Sequence, residues 1–215
     1  MLLLAIDTSG RQGGITLARG EHGVEIIEST PIQGGTFSAE LIPQIAELLA
    51  KRGYGPKDLQ TLVAVTGPGS FTGLRVGLTA VKGLAEVLNL PIATVTSLEV
   101  LLAAAGAQEN TMAVLDAGRG EVYAAVQIGN TRKESLLTAA EAVALANSKR
   151  LRIVAAEPSV ASKLPEADVI HYCSTEVAVR AGFDKLRAGE TVDVLALDAN
   201  YIRKSEAEYM HKMKK

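Results

Sequence analysis

Two aspartates occupy matching positions about half a chain apart and are the first candidates for chemistry. Asp7 follows the apolar run 2–6, and Asp116 follows the apolar run 112–115. Each is followed by two small residues and a glycine-containing turn. Carboxylates at the ends of strands can hold a metal ion or a water molecule, but an aspartate also commonly caps a turn. The sequence leaves both roles open.

A glycine-rich segment is the second candidate, and it comprises Gly67, Pro68, Gly69, Ser70, Phe71, Thr72, Gly73 and Arg75. A glycine-rich loop before a helix can cradle phosphate, because its free N–H groups and the helix dipole favour an anion. The spacing of these glycines fits neither the P-loop nor the dinucleotide-binding fingerprint, two phosphate-binding motifs. Leu74 follows Gly73 where a P-loop has lysine, and the glycines are one residue too far apart for a dinucleotide fingerprint. We therefore favour a tight loop with close helix packing over a ligand site.

Small residues continue along the predicted helix 74–88 that follows this loop. Gly73, Gly77, Ala80 and Gly83 recur at three- and four-residue spacing, which places them on one helical face. Such a face lets another backbone approach closely. The spacing does not decide whether that backbone belongs to this chain or to a partner.

Other catalytic classes find little support in the sequence. His22, His171 and His211 are widely scattered without an H-E-x-x-H pair, so a zinc peptidase lacks its ligands. Ser70 lacks the G-x-S-x-G elbow of serine hydrolases. Cys173 is the one cysteine, which excludes an intramolecular disulfide, fits a reducing compartment and favours a core role.

The composition is that of a globular protein. Hydrophobic residues make up 47% of the 215 residues and charged residues 21%, with no tryptophan. With a net charge of −2, the chain lacks the excess of basic residues that is typical of a protein that binds nucleic acid without a partner. The apolar N-terminus ends at Asp7, too early for a signal peptide or a membrane span, which predicts a soluble cytoplasmic protein without membrane contact.

The elements that position these residues form two similar halves. In the first half, the pattern predicts strands 2–6, 15–18, 24–28, 62–65 and 91–95 and helices 39–51, 74–88 and 97–106. Ser38 is the predicted N-cap of the first helix, and Ser97 is that of the third. The second half predicts strands 112–115, 122–128, 152–155 and 169–172, a helix from the Thr138 capping box to 146, a short helix after Pro158, and a helix over 176–186. This repetition favours a duplicated α/β lobe over chance, with an N-terminal lobe 1–107 and a smaller C-terminal lobe 108–215.

Several motifs together resemble the bacterial TsaB (YeaZ) family, in order along nearly the whole chain. They are residues 4–9, the segment 67–77, residues 82–85, Thr96-Ser97-Leu98-Glu99, Asp116 with residues 119–123, and Asn200-Tyr201-Ile202-Arg203. The resemblance implies an ASKHA-type fold (the actin, sugar-kinase and Hsp70 class) of two ribonuclease-H-like lobes, with the second lobe reduced.

The resemblance also implies a function. The chain would be a non-catalytic subunit, needed with TsaD and TsaE, for forming N6-threonylcarbamoyladenosine in tRNAs that read codons beginning with A. TsaD would catalyse transfer from threonylcarbamoyl-AMP, and the ATP and metal would lie in the partner subunits, with no cofactor bound by this chain alone. The chain would form a homodimer when alone and meet tRNA only through the complex. The alternative is an independent ASKHA-type ATPase or small-molecule kinase that uses Asp7 and Asp116 as magnesium-linked carboxylates.

In the family, the first two helices form the surface that meets TsaD or a second copy. By position, the candidate interface residues are Leu41, Ile45, Leu48, Leu74, Gly77, Ala80 and Val81. Phe37 stands where the family often has histidine, which we expect to alter partner contacts, and Gly118 stands where arginine is common. The basic tail, with Arg203, Lys204, Lys212, Lys214 and Lys215, could touch phosphate or an acidic partner, or simply be solvated.

Overall fold

A computed structural model describes residues 1–106 and 110–202. The first sheet contains β1 (Leu2–Asp7), β2 (Gln12–Gly20), β3 (Val24–Gln33), β4 (Thr61–Val65) and β5 (Ile92–Val95), in the order β3-β2-β1-β4-β5. The second contains β6 (Thr111–Gly118), β7 (Glu121–Ile128), β8 (Thr131–Thr138), β9 (Arg152–Ala155) and β10 (Asp168–Val169), in the order β10-β9-β6-β7-β8. In both sheets the first three strands pair antiparallel and the last two add in parallel. The predicted duplication is therefore present in the topology.

In the part of the chain that the structure describes, six helices flank these sheets: α1 (Phe37–Lys51), α2 (Phe71–Leu88), α3 (Ser97–Ala104), α4 (Ala139–Lys149), α5 (Pro158–Ala161) and α6 (Ser174–Arg187), with a short 3-10 turn at Pro56–Asp58. The second lobe is the smaller one, because α4 and α5 have 11 and 4 residues where α1 and α2 have 15 and 18.

The central strand β1 is buried on both faces, as its unbroken apolar run predicts. Leu4 and Ile6 belong to the core beneath α1 and α2, whereas Leu3 and Ala5 belong to the core beneath α6. This alternation follows from the two-residue period of a strand. The first sheet therefore lies between two helical layers.

Helices α3 and α6 join the two lobes. Leu98 and Leu101 of α3 pack with Ala113 and Val154 of the second sheet. Helix α6 packs on the first sheet and against α3. The pair thus forms the joint between the sheets.

The chain returns to the first lobe after the second sheet, which corrects the predicted domain assignment. A boundary near residue 107 does separate the sheets, but α6 and the segment after it pack on the first one. Val192 bridges to Ile92, and Leu197 is buried in the core beneath α1 and α2. Placing all of 108–215 in the second lobe is therefore wrong. The basic tail lies outside the described residues.

Strand β8 is an element that the sequence analysis missed. It begins with Thr131, Arg132 and Lys133, which are exposed at the edge of the second sheet. An edge strand with a solvated face carries no apolar run for sequence reasoning to detect.

The helix starts also differ from prediction: α6 begins at Ser174, two residues before the predicted start, and three other helices differ as follows. Helix α1 begins after Thr36 rather than Ser38, without a side-chain cap. Helix α2 begins at Phe71, three residues early, because Ser70 caps it by accepting a hydrogen bond from the Gly73 N–H. Thr96, not Ser97, caps α3. Across residues 1–106 and 110–202, none of the helices is both long and apolar enough to cross a membrane.

Candidate functional site

The residues predicted to meet a partner lie mostly inside the first lobe. Six of them are buried in the structure: Leu41, Ile45, Leu48, Leu74, Gly77 and Val81. Only Ala80 is partly exposed. The prediction that these side chains form the docking surface is therefore wrong for the six. Leu41, Ile45, Leu48 and Val81 belong to the core that α1 and α2 share with the first sheet. Gly77 lies against Thr8, and Leu74 lies against Gly67.

The glycine-rich segment packs against the turn that follows β1. A Cβ at Gly69 would overlap the Ser9 carbonyl oxygen, and one at Gly73 would overlap the Thr8 carbonyl oxygen. The Ser70 N–H donates to the Ser9 carbonyl at 2.6 Å, and Thr8 Oγ1 donates to the Gly73 carbonyl at 2.7 Å. The close backbone that these glycines admit therefore belongs to this chain.

The beginning of the segment is fixed to α3. Gly67 has φ +95, a conformation that favours glycine, and its carbonyl accepts a hydrogen bond from the Ser97 N–H at 2.7 Å. The peptide bond from Gly67 to Pro68 is cis, and both residues are buried. The segment acts as a structural connection between β4, α2 and α3, as the packing interpretation predicts.

Exposed residues of the segment form a small aromatic cluster at the start of α2. The Arg75 guanidinium lies 3.8 Å from the centre of the Phe71 ring. The Tyr201 ring lies 5.7 Å from the same ring, centre to centre. Thr72 is exposed beside them.

The two aspartates line a cleft of about 1230 Å³ between the lobes, but their surroundings differ. Asp7 is buried, and its Oδ1 accepts hydrogen bonds from the Ser9 N–H at 2.8 Å and the Ser9 hydroxyl at 2.7 Å. Asp116 is exposed, with Oδ1 3.6 Å from Lys163 Nζ. Asp7 thus caps the turn after β1, whereas Asp116 makes a surface ion pair. Within the described ranges, no group of three or more histidine, cysteine, aspartate or glutamate side chains is placed to hold a metal ion.

The far wall of the cleft carries Tyr172 between His171 and Cys173. Burial, together with the nearby carboxylates of Asp7 and Glu157, raises the pKa of Tyr172. The cleft lining also includes Asp116 and a single arginine, Arg11, so carboxylates outnumber guanidinium groups there. This balance disfavours a free polyphosphate.

Phe37 is one of the residues whose role sequence reasoning missed. It is buried at 4% exposure, and its ring lies against Gly13 near the start of β2, where an added Cβ would meet the ring at 2.9 Å. Its side chain therefore supports the cleft floor from inside. Any effect of Phe37 on partner contacts would therefore be indirect, and that expectation stays a prediction.

Sequence reasoning also missed the role of Glu99 at the joint between the lobes. Its side chain is buried there, and it forms a capping box with Thr96 at the start of α3. That threonine-x-x-glutamate pattern was visible in the sequence and could have identified it.

The outward faces of α1 and α2 mix apolar with polar residues. The exposed residues of α1 are Ser38, Ala39, Ile42, Pro43, Ala46, Glu47, Ala50 and Lys51, and those of α2 are Phe71, Thr72, Arg75, Thr79, Gly83, Glu86 and Val87. Ile42 is 53% exposed and Val87 82% exposed. A Cβ at Gly83 would meet nothing within 4 Å.

The profile of the TsaD family, described as tRNA N6-adenosine threonylcarbamoyltransferase, matches residues 32–209. The tRNA threonylcarbamoyladenosine biosynthesis protein TsaB of Bacillus subtilis is 39% identical over 124 residues, which cover 57% of this chain and 53% of that protein. The protein of the same name from Haemophilus influenzae is 36% identical over 129 residues, which cover 57% and 52%. The matched region thus spans about half the length of these relatives.

A solved structure of YeaZ from Pseudomonas aeruginosa superposes with a TM-score of 0.76 at 21% identity, covering 94% of this chain and 100% of that one. This likeness confirms the expected α/β fold of ASKHA type. The match to the TsaD profile covers most of the sequence, so the chain belongs to the TsaD family, and it is similar to proteins named TsaB and YeaZ.

Proposed function

We propose that this chain acts in forming N6-threonylcarbamoyladenosine in tRNA, as a non-catalytic subunit that docks onto a TsaD transferase. The names of the Bacillus subtilis and Haemophilus influenzae relatives support the pathway. In this proposal TsaD transfers the threonylcarbamoyl group from threonylcarbamoyl-AMP, in tRNAs that read codons beginning with A, and the TsaE ATPase joins the complex.

The state of the cleft supports a non-catalytic role. The loop that could have cradled phosphate is hydrogen-bonded to the turn after β1. Asp7 Oδ1 accepts hydrogen bonds from Ser9, and Asp116 forms an exposed ion pair with Lys163. Within the described residues, no cluster of three or more histidine, cysteine, aspartate or glutamate side chains is placed to complete a metal site around them. In this proposal, the ATP and metal of the reaction lie in the partner subunits.

Gly83 is the observation that carries the docking proposal. Glycine inside a helix costs about 1 kcal/mol relative to alanine. Gly73 and Gly77 lie against the turn after β1, but a side chain at Gly83 would meet open space. Within residues 1–106 and 110–202, no contact requires glycine at position 83, so we assign its small size to the close approach of a partner's backbone.

The exposed apolar residues around Gly83 fit the same role. Ile42 on α1 and Val87 on α2 are exposed on two helices that pack against each other. Exposed apolar surface of this kind is typical of protein interfaces. In the absence of TsaD, a second copy of this chain would cover the same face as a homodimer. Because the net charge is −2, tRNA would be bound by the assembled complex and not by this chain alone.

Gly83→Arg tests the docking surface, with Gly83→Ala as its matched control. Both variants should fold, since the position is open. Arginine should prevent the heterodimer with TsaD and the homodimer, whereas alanine, which adds a single methyl group, should weaken both by a much smaller factor. Size-exclusion chromatography with light scattering, on the chain alone and mixed with TsaD, measures the assembly state.

A heterodimer of Gly83→Arg with unchanged affinity would refute this surface. Titration calorimetry with Mg-ATP on the same samples tests the alternative function. Tight binding of ATP by the isolated chain, abolished by Asp7→Ala, would favour an independent ATPase or kinase.

A further inference from the structure

The joint between the lobes holds a buried carboxylate with two cations. Glu99, at the start of α3, is 9% exposed. Lys185 Nζ on α6 donates to Glu99 Oε1 at 2.9 Å. Arg132 on β8 donates to the same oxygen at 2.6 Å. Since α6 packs on the first sheet and β8 belongs to the second, one cation comes from each lobe.

A second carboxylate on β8 makes another connection across the joint. Glu134 Oε1 accepts a hydrogen bond from the Thr96 hydroxyl at 2.7 Å. Its Oε2 accepts one from the Asn200 side-chain amide, also at 2.7 Å. The Asn200 backbone N–H in turn donates to the Thr66 carbonyl, just after β4, at 2.7 Å. The second sheet is thereby tied to the end of a strand in the first.

These hydrogen bonds oppose separation of the two lobes, whether α3 moves with the first lobe or with the second. If α3 moves with the second lobe, the bond from Lys185 to Glu99 must break. If α3 moves with the first lobe, the bonds of Arg132 to Glu99 and of Glu134 to Thr96 must break. The bond between Glu134 and Asn200 breaks in both cases. Hydrogen bonds to charged groups are stronger than neutral ones, and a buried carboxylate without its cation is costly.

We propose that Glu99, Lys185, Arg132, Glu134 and Asn200 form a latch that fixes the two lobes relative to each other and holds the cleft at one width. The chain then lacks the hinge closure by which related two-lobed folds surround a ligand. The latch also fixes Tyr201, which follows Asn200 and lies against Phe71 of α2. The partner-facing helix and the second lobe thus move as one body.

Electron paramagnetic resonance distances across the cleft test this proposal in the full chain. Spin labels are attached at Gln33→Cys in the first lobe and Ser159→Cys in the second, in a Cys173→Ser background. Both label positions are exposed at the cleft. With the latch intact we expect a single narrow distance distribution. Arg132→Met with Glu134→Gln should add a second population at altered distance.

Arg19→Met is the matched control, because Arg19 makes an exposed ion pair with Glu25 inside the first lobe. It should leave the narrow distribution unchanged. Urea unfolding confirms that each variant is folded. If the double variant is not folded, the distance measurement is made on the single variant Glu134→Gln instead. A narrow distribution that persists in the folded latch variant overturns the proposal. This readout does not depend on TsaD binding.

Discussion

Gly77 of α2 lies so close to Thr8, at the turn after β1, that a Cβ on Gly77 would overlap Thr8 Oγ1. Thr8 cannot simply rotate away, because its hydroxyl donates to the Gly73 carbonyl at 2.7 Å. The helix and the turn can therefore pack this closely only because residue 77 has no side chain. This contact explains a glycine that sequence reasoning assigned to a partner surface.

Gly77→Ala should destabilise the protein even though alanine favours helices. Overpacking in a well-packed core typically costs 1–3 kcal/mol, roughly, which exceeds the helix gain of about 1 kcal/mol. Gly83→Ala provides the comparison in the same helix, since its methyl group enters open space and should stabilise. Urea unfolding of both variants measures the difference. Equal stabilisation by the two substitutions would contradict the packing described for Gly77.

The sequence predicted most elements because their signals are local. The apolar run before Asp7 and the Thr138 capping box each depend on a few neighbouring residues. The face of a helix that meets a partner is not local. Leu41, Ile45 and Leu48 have the periodicity of any buried stripe, and only the position of the first sheet shows what buries them.

The latch was beyond sequence reasoning for a related reason. Glu99 and Lys185 are far apart in the chain, and they meet only because α6 returns to the first lobe. Glu134 lies on a polar edge strand that the apolar pattern does not reveal. Long-range polar contacts leave no periodic trace in the sequence.

Glu99 should make stability depend on pH in the acid range. Burial alone would raise the pKa of Glu99, but hydrogen bonds from Lys185 and the Thr96 backbone, with the charges of Lys185 and Arg132, lower it below its usual 4.5. The carboxylate is then favoured in the folded state. Its contribution is present above pH 4.5 and is lost as the pH falls through the lowered pKa.

Glu99→Gln tests this linkage. The variant should lose about 2 kcal/mol of unfolding free energy at pH 7, a typical value for hydrogen bonds to a charged group. It should also show a weaker fall in stability between neutral and acid pH. Urea unfolding at a series of pH values measures both. An unchanged pH dependence would contradict the assignment to Glu99.

The phenol group of Tyr172 should ionise at a higher pH than that of an ordinary tyrosine. Burial raises its pKa above the usual 10.0, and the carboxylates of Asp7 and Glu157 add to the rise. A raised tyrosine pKa means that the neutral form stabilises the fold below pH 10.0, and this contribution is lost as the pH rises through the folded pKa.

Spectrophotometric titration of the phenol groups measures this delay. One of the five tyrosines should stay protonated after ordinary tyrosines have ionised, and Tyr172→Phe should remove that late component. Asp7→Asn should shift the component towards lower pH by removing one nearby negative charge. If Tyr172→Phe instead removes an early component, the surroundings of Tyr172 are more open than described.

Ser70 and Ser38 should respond differently to alanine, although both precede or begin a helix with similar sequence signals. Ser70 Oγ accepts a hydrogen bond from the Gly73 N–H at 3.2 Å, whereas Ser38 lies inside α1 and is exposed. Losing a cap costs about 1 kcal/mol, and an exposed helical serine gains a few tenths of a kcal/mol, roughly, on becoming alanine. Ser70→Ala should therefore lower the urea midpoint, and Ser38→Ala should leave it unchanged or raise it slightly. The reverse order would mean that α1 begins at Ser38, as its sequence suggests, and that the start of α2 is held by its packing on the turn after β1 and not by its cap.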